Sequence, residues 1–153
     1  MPRVIISDTS CLIVLSNIGE LELLHKVYGN IVTTKEVADE FGLAFPSWIQ
    51  IQSPTDSIRQ TILELQVDKG EASAISLALE ISDCTIILDD NKARRLAQQL
   101  GLHITGTIGV IVKAKRDGII QSIKPFLSKI KTTDFRLTEE LEALALRLAN
   151  EAP

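Results

Sequence analysis

The chain of 153 residues and 16.8 kDa has the size of one domain. With 45% hydrophobic and 24% charged residues it reads as an ordinary globular protein, and collagen, a disulfide miniprotein and a disordered tail are excluded. The net charge of −4, from 16 Lys+Arg against 20 Asp+Glu, argues as a whole against a nucleic-acid binder.

In chain order, the apolar run Val4 to Ser7 reads as a buried strand, followed by helical spacing over 10–17 (Leu12, Leu15) and 20–28 (Leu21, Leu24, Val27). Asn30-Ile31-Val32 is a weaker strand. Thr33-Thr34-Lys35-Glu36 opens a helix over about 34–41 as a capping box, and Gly42 closes it. Trp48 to Gln52 and Thr85 to Leu88 are further strands, with a helix over 70–82 between them. A helix over 91–100 stops at Gly101, and Leu102-His103-Ile104 is a second weak strand. The last third is helical, over about 107–117, 121–131 and 138–150. Strands alternating with such helices imply a parallel sheet covered on both faces, a single α/β domain over 1–153 with a helical C-terminal layer.

Cys11 and Cys84 stand apart, as do His25 and His103, so zinc spacing is absent and free thiols in a reducing cytosol are expected. The run before Asp8 is too short for a signal peptide, and no stretch reaches the ~18 apolar residues of a membrane span. A soluble, cytoplasmic protein is the expectation.

Ligands of open parallel sheets bind beyond the carboxyl ends of the strands. Asp8 directly follows the first strand, and Asp89-Asp90 follow Thr85–Leu88. Each acid has the alternative of capping the next helix. Glu71 lies on the apolar side of its helix with Ile75 and Ala78, where it either stabilises the helix start or points into a site. On the 34–41 helix, Glu40 is nearer the apolar direction set by Val37 and Phe41 than Glu36 or Asp39, which should face solvent; a mere boundary position is its alternative. Carboxylates converging on one edge stay ionised only beside a cation. Oxygen ligands without Cys or His select Mg²⁺ or Mn²⁺, ions that clamp phosphate oxygens and activate water.

The positive charge is concentrated. Residues 91–131 hold nine basic side chains (Lys92, Arg94, Arg95, Lys113, Lys115, Arg116, Lys124, Lys129, Lys131) against Asp117, a charge of +8, leaving −12 elsewhere. Such asymmetry is the footprint of a polyanion partner, with solvated helix faces as the alternative. Arg94, one turn on from Asp90, is placed to reach a phosphate. With aromatics at 4% and only Phe126 in the basic window, contact with the nucleic-acid backbone is expected rather than base stacking.

Ser7-Asp8-Thr9-Ser10 with Leu12, Glu36-Val37-Ala38-Asp39-Glu40-Phe41, Gly70-Glu71-Ala72-Ser73-Ala74-Ile75, Leu88-Asp89-Asp90 with Ala93-Arg94, and Thr105-Gly106-Thr107-Ile108-Gly109-Val110 with Ala114-Lys115-Arg116 form an ordered set. In it the chain resembles the PIN-domain nucleases over about residues 3–137, in the branch similar to the VapC-type toxins of toxin–antitoxin modules. The resemblance implies a PIN-like three-layer α/β/α fold with a central parallel sheet. It also implies a metal-dependent endoribonuclease cleaving single-stranded RNA, with Mg²⁺ or Mn²⁺ as cofactor. Catalytic acids carry over as Asp8, Glu40, Glu71 and Asp90, and metal ligands as Asp8, Glu71 and Asp89 or Asp90. Glu71 departs from the Asp common at its position, which bears on whether one or two ions are held. Substrate contacts fall to Thr9, Ser10, Arg94, Arg95, Lys115 and Arg116, although Thr9 or Ser10 also has the option of only capping a helix. A homodimer and a small antitoxin are the implied protein partners.

Two rivals remain at this level. A PIN-like fold used for nucleic-acid binding or interaction would keep the basic window with little or no catalysis. A phosphoacceptor receiver domain places its acidic pair after the first strand, whereas this pair comes late. The stretch Leu141 to Leu148 is either a helix packed on its own domain or a dimer or antitoxin surface.

Overall fold

A computed structural model describes residues 3–153. Five short segments rich in β-branched residues, β1 (Val4–Ser7), β2 (Ile31–Thr33), β3 (Ile49–Ile51), β4 (Cys84–Ile87) and β5 (His103–Thr105), form an all-parallel sheet in the order β3-β2-β1-β4-β5. Because side chains alternate along a strand, Ile5 and Ile87 enter one face and Ile6 and Ile86 the other. All four are buried, so both faces need a helical cover.

That cover comes from nine helices among the described residues: α1 (Thr9–Asn17), α2 (Glu22–Tyr28), α3 (Lys35–Phe41), α4 (Ser57–Leu63), α5 (Lys69–Glu80), α6 (Asn91–Gln99), α7 (Thr107–Arg116), α8 (Lys124–Ile130) and α9 (Glu139–Leu148). Ala74, Ile75 and Leu77 of α5, with Ala93 and Leu96 of α6 and Leu63 of α4, pack over Ile6 and Ile86. On the opposite face Leu12 and Leu15 of α1, Leu24 of α2 and Val110 of α7 cover Ile5 and Ile87. Outside α7 lies a further layer, in which Leu127 and Ile130 of α8 and Ala145 and Leu146 of α9 meet Ile108 and Ile111. The expected three-layer fold with a helical C-terminal layer is therefore present. Each large side chain buried this way contributes about 1.5–3 kcal/mol.

Where structure and spacing differ, the reasons are local. The apolar pattern does not announce α4, because Ile58 and Ile62 are 74% and 55% exposed and only Leu63 turns inward. The helix expected over 70–82 runs from Lys69 to Glu80, since Asp68 caps it one residue earlier. The helix expected over 20–28 starts at Glu22 and that over 121–131 at Lys124, with Pro125 in its first turn. Glu36, expected in solvent, is half-buried and accepts a hydrogen bond from Gln60 Nε2.

At the C-terminal side Glu151 accepts from Lys115 Nζ (3.0 Å), Ser122 Oγ (2.6 Å) and Ile123 N (2.8 Å), and Lys115 also donates to Ala149 O at 3.1 Å. These bonds fasten the end of α9 to α7 and the start of α8. No helix among the described residues is long and apolar enough to cross a membrane. What positions the site is the strand order. The chain leaves β1 toward β2 and leaves β4 toward β5 on the other side, so a crevice opens above the carboxyl ends of the adjacent strands β1 and β4.

Candidate active site

The register Ser7↔Ile87 brings the residues that follow β1 and β4 side by side. Asp8 continues the ladder, donating its N–H to Ile87 O at 3.1 Å, and is 1% exposed. Its Oδ1 accepts from Cys11 N at 3.0 Å as the N-cap of α1, while Oδ2 accepts from Asp89 N at 3.3 Å. One carboxylate thus caps a helix with one oxygen and ties the two strand ends together with the other.

The successive acids after β4 separate. Asp89 turns toward α7, where Oδ1 accepts from Thr107 N at 2.8 Å and Oδ2 from the Thr107 hydroxyl at 2.5 Å. Asp90 is exposed and caps α6, its Oδ2 accepting from Ala93 N at 3.0 Å. Arg94 folds back so that Nη1 donates to Leu88 O at 2.7 Å. Gly106 makes room for this arrangement: a Cβ there would stand 2.9 Å from Asp89 Oδ1 and 3.0 Å from Arg94 Nη1.

Glu71 sits in the first turn of α5 in a reciprocal capping box. Asp68 Oδ1 accepts from Glu71 N at 2.8 Å, and Glu71 Oε1 accepts from Asp68 N at 3.2 Å. Glu40, at the exposed end of α3, leans over the same helix start, where a Cβ on Gly70 would collide with its Oε1 and approach Thr9 Oγ1 to 3.1 Å. The buried hydroxyls of Thr34 and Ser73, 2.7 Å apart, fix α3 against α5 and hold this approach.

The electrostatics are strained toward proton or cation uptake. Burial, then the Asp89 charge, pushes the Asp8 carboxyl well above its ordinary range. Asp89 is raised by burial, against the bonds from Thr107. Burial and then Asp68 raise Glu40, and the same two causes push Glu71 up to about 7. Among the described residues, none of these four carboxylates has a basic side chain in a direct ion pair.

Two connected spaces open here. A chamber of roughly 340 Å³ is lined by Asp8, Thr9, Ser10, Glu40, Asp68 and Glu71 together with Ile13, Val14, Asp134 and Phe135. A larger cleft of roughly 1400 Å³ carries Ser10, Glu71, Asp89, Asp90 and Arg94 at one end, then Lys113, Arg116 and Arg136, and reaches Leu144 and Leu148 of α9. Of the residues singled out from sequence, Lys115 is not brought there, being tied to Glu151, and Arg95 lies exposed on α6 outside the lining. The positive stretch is also partly neutralised, for Lys113, Lys115, Lys129 and Lys131 pair with Asp117, Glu151, Glu20 and Glu142.

The sequence reading gave no site role to Asp68, Asp134, Phe135 or Arg136, and quoted Thr107 only within a motif. Asp68 carried a signal, since Asp-x-x-Glu before an apolar run is a capping box. The others sit in a helix start or an irregular segment with no period to read.

The donor set suits a hard divalent ion, because it offers only oxygens and its acids repel one another: Asp8 is buried beside Asp89, and Glu71 and Glu40 lie beside Asp68. Among the described residues no three acidic, His or Cys groups stand close enough to form a ready ligand shell. Mg²⁺ keeps several waters and takes one or two carboxylates plus substrate phosphates, so an ion here would reach some of these acids through its waters.

The family model described as a PIN domain matches residues 4–151. No curated protein matches the chain. Members of that family are generally nucleases and typically work with divalent metal ions. By this match, and by the fold and acidic strand ends above, the chain belongs to the PIN-domain family.

Proposed function

We propose that this protein is a metal-dependent endoribonuclease cleaving single-stranded RNA, the toxin of a toxin–antitoxin pair. The observation that supports the reading is that Asp8 and Glu71 line the small chamber while Glu71, Asp89 and Asp90 line the adjoining cleft, together with Arg94, Lys113, Arg116 and Arg136. The charged residues of the chamber are all acids and repel phosphate, whereas the cleft adds Arg94, Arg116 and Arg136 to its acids, and these attract it. The boundary between them is where a scissile phosphate is held from both sides.

Asp8, Glu71 and Asp89 or Asp90 would hold Mg²⁺ or Mn²⁺, which when bound withdraws charge from phosphate and water oxygens. Glu40 or Glu71 orients the attacking water and accepts its proton. Arg94 and Arg116 hold phosphate oxygens, and Arg94 is pre-positioned by its bond to Leu88 O. Arg95 and Lys115 belong to the RNA path only as outer positions. Ser10, which borders both spaces, donates to the phosphate or to an ordered water, and Thr9 does the same from the small chamber. Hydrolysis adds the water oxygen to phosphorus and breaks one P–O bond; the carboxylate takes the proton given up by water, and the leaving oxygen takes up a proton from that carboxyl or from solvent to become a hydroxyl.

A homodimer and a small antitoxin are part of the same proposal. Ala145 and Leu146 of α9 pack on their own chain, whereas Ile58 and Ile62 of α4 and Leu65 in the turn after it, the last 83% exposed, are uncovered apolar side chains. Mass measured against concentration tests the dimer. A second reading, RNA binding with little catalysis, is favoured by one observation: both oxygens of Asp89 are already engaged by Thr107. The separating experiment incubates labelled single- and double-stranded RNA with Mn²⁺, Mg²⁺ or EDTA. Metal-dependent cutting of the single strand supports the nuclease, and binding without cutting in every metal supports the rival.

A further inference from the structure

We propose that the segment Thr132–Leu137 between α8 and α9 is a nucleotide-recognition strap, in which Phe135 stacks on the base beside the scissile phosphate and Arg136 neutralises the adjoining phosphate. The inference rests on the nuclease reading and deepens it.

The strap crosses the site where the two spaces meet. Phe135 and Asp134 border both the acid chamber and the arginine-lined cleft, a property they share with Ser10 and Glu71, and Arg136 opens onto the larger cleft. The segment is irregular yet anchored. The Thr132 hydroxyl donates to Lys129 O and the Thr133 hydroxyl to Ile130 O, both at 2.6 Å, and Thr133 Oγ1 accepts from Phe135 N at 3.2 Å. Leu137 and Phe135, both partly buried, pack on the cluster of α7, α8 and α9, and the Thr138 hydroxyl caps α9. The side chain is half-buried, packed against the α7–α9 cluster and part of the lining of both spaces.

A ring that served only to seal the core would have no reason to border both chambers next to Glu71. A strand whose phosphate lies between the acids and Arg94 must put an adjoining base somewhere, and of the two aromatic side chains in the larger cleft, Tyr28 and Phe135, it is Phe135 that also lines the acid chamber. Every base has a π-face, so such a contact fixes position while tolerating sequence. The low aromatic content of the chain argued against stacking, but one ring at the waist of the site suffices for one base.

The test uses single-stranded RNA with 2-aminopurine at successive positions, titrated with the full chain in Ca²⁺ and recovered intact afterward. The expected result is quenching at one position with wild type and Phe135→Trp, loss of that quenching in Phe135→Leu, and binding by Phe135→Leu weakened about tenfold with an unchanged salt slope. Equal quenching in wild type and Phe135→Leu overturns the strap proposal and leaves the nuclease reading standing. Absence of RNA binding by the wild type overturns both.

Discussion

Replacing Glu71 by Gln should stabilise the metal-free protein at neutral and higher pH. The side chain stays the same length, and the amide oxygen can still accept from Asp68 N, since Gln also serves the third position of a capping box. What disappears is a charge whose pKa the fold lifts from 4.5 to about 7, chiefly by burial and then by Asp68. At about 1.36 kcal/mol per pH unit this is about 3 kcal/mol, and because the side chain is half exposed, screening leaves about 1–2 kcal/mol. The sign follows from proton uptake: the folded state holds the proton more tightly, so stability is fully present below about pH 4.5 and is lost as pH rises through about 7. Thermal melts in EDTA should show Glu71→Gln about 3–6 °C above wild type at pH 8 and level with it at pH 4. Added Mn²⁺ should raise the wild-type midpoint more than that of the variant. A variant less stable than wild type at pH 8 in EDTA would refute the claim that Glu71 is held under electrostatic strain.

Other perturbations test separate parts of the account. Thr107→Val keeps the backbone N–H to Asp89 and removes the hydroxyl bond of 2.5 Å; Mn²⁺ affinity, followed by calorimetric titration, should fall about tenfold. Arg116→Ala and Arg136→Ala should each lower the salt slope of RNA binding by about one, whereas Lys115→Ala should leave it unchanged, because Lys115 is bound to Glu151. Glu151 is held near a pKa of about 2, opposed by burial but carried by the bonds from Ser122, Ile123 and Lys115. The stability it adds is therefore present above about pH 4.5 and lost toward pH 2. The melting difference between wild type and Glu151→Gln should be constant from pH 6 to 8 and close as pH falls toward 2.

The physics of period and position explains what could be read from sequence. Val4–Ser7 and Cys84–Ile87 are apolar runs with no alternation, as strands buried on both faces must be, and the acids after them were legible as strand-end residues. Whether Asp89 or Asp90 faces Asp8 was not legible, because the choice depends on Thr107, eighteen residues away, which reaches back from the start of α7. The charge count overstated the polyanion surface, since lysines such as Lys129 and Lys131 find partners at Glu20 and Glu142, far away in sequence. Asp134, Phe135 and Arg136 lie in a loop, where neither helical nor strand period marks a side chain's direction. Their place at the site exists only after α8 and α9 dock on α7.

The central claim is that the acids above β1 and β4 carry metal-dependent hydrolysis, and the initial rate of single-stranded RNA cleavage in Mn²⁺ by wild type and Asp8→Asn tests it most directly. The asparagine oxygen can still cap Cys11 N, although its amide nitrogen cannot accept from Asp89 N, so a thermal melt run beside the assay checks that the variant stays folded. The account predicts cleavage by the wild type that EDTA abolishes, and a rate for Asp8→Asn reduced to that background. Equal rates for the two proteins, or cleavage that persists in EDTA, would contradict it.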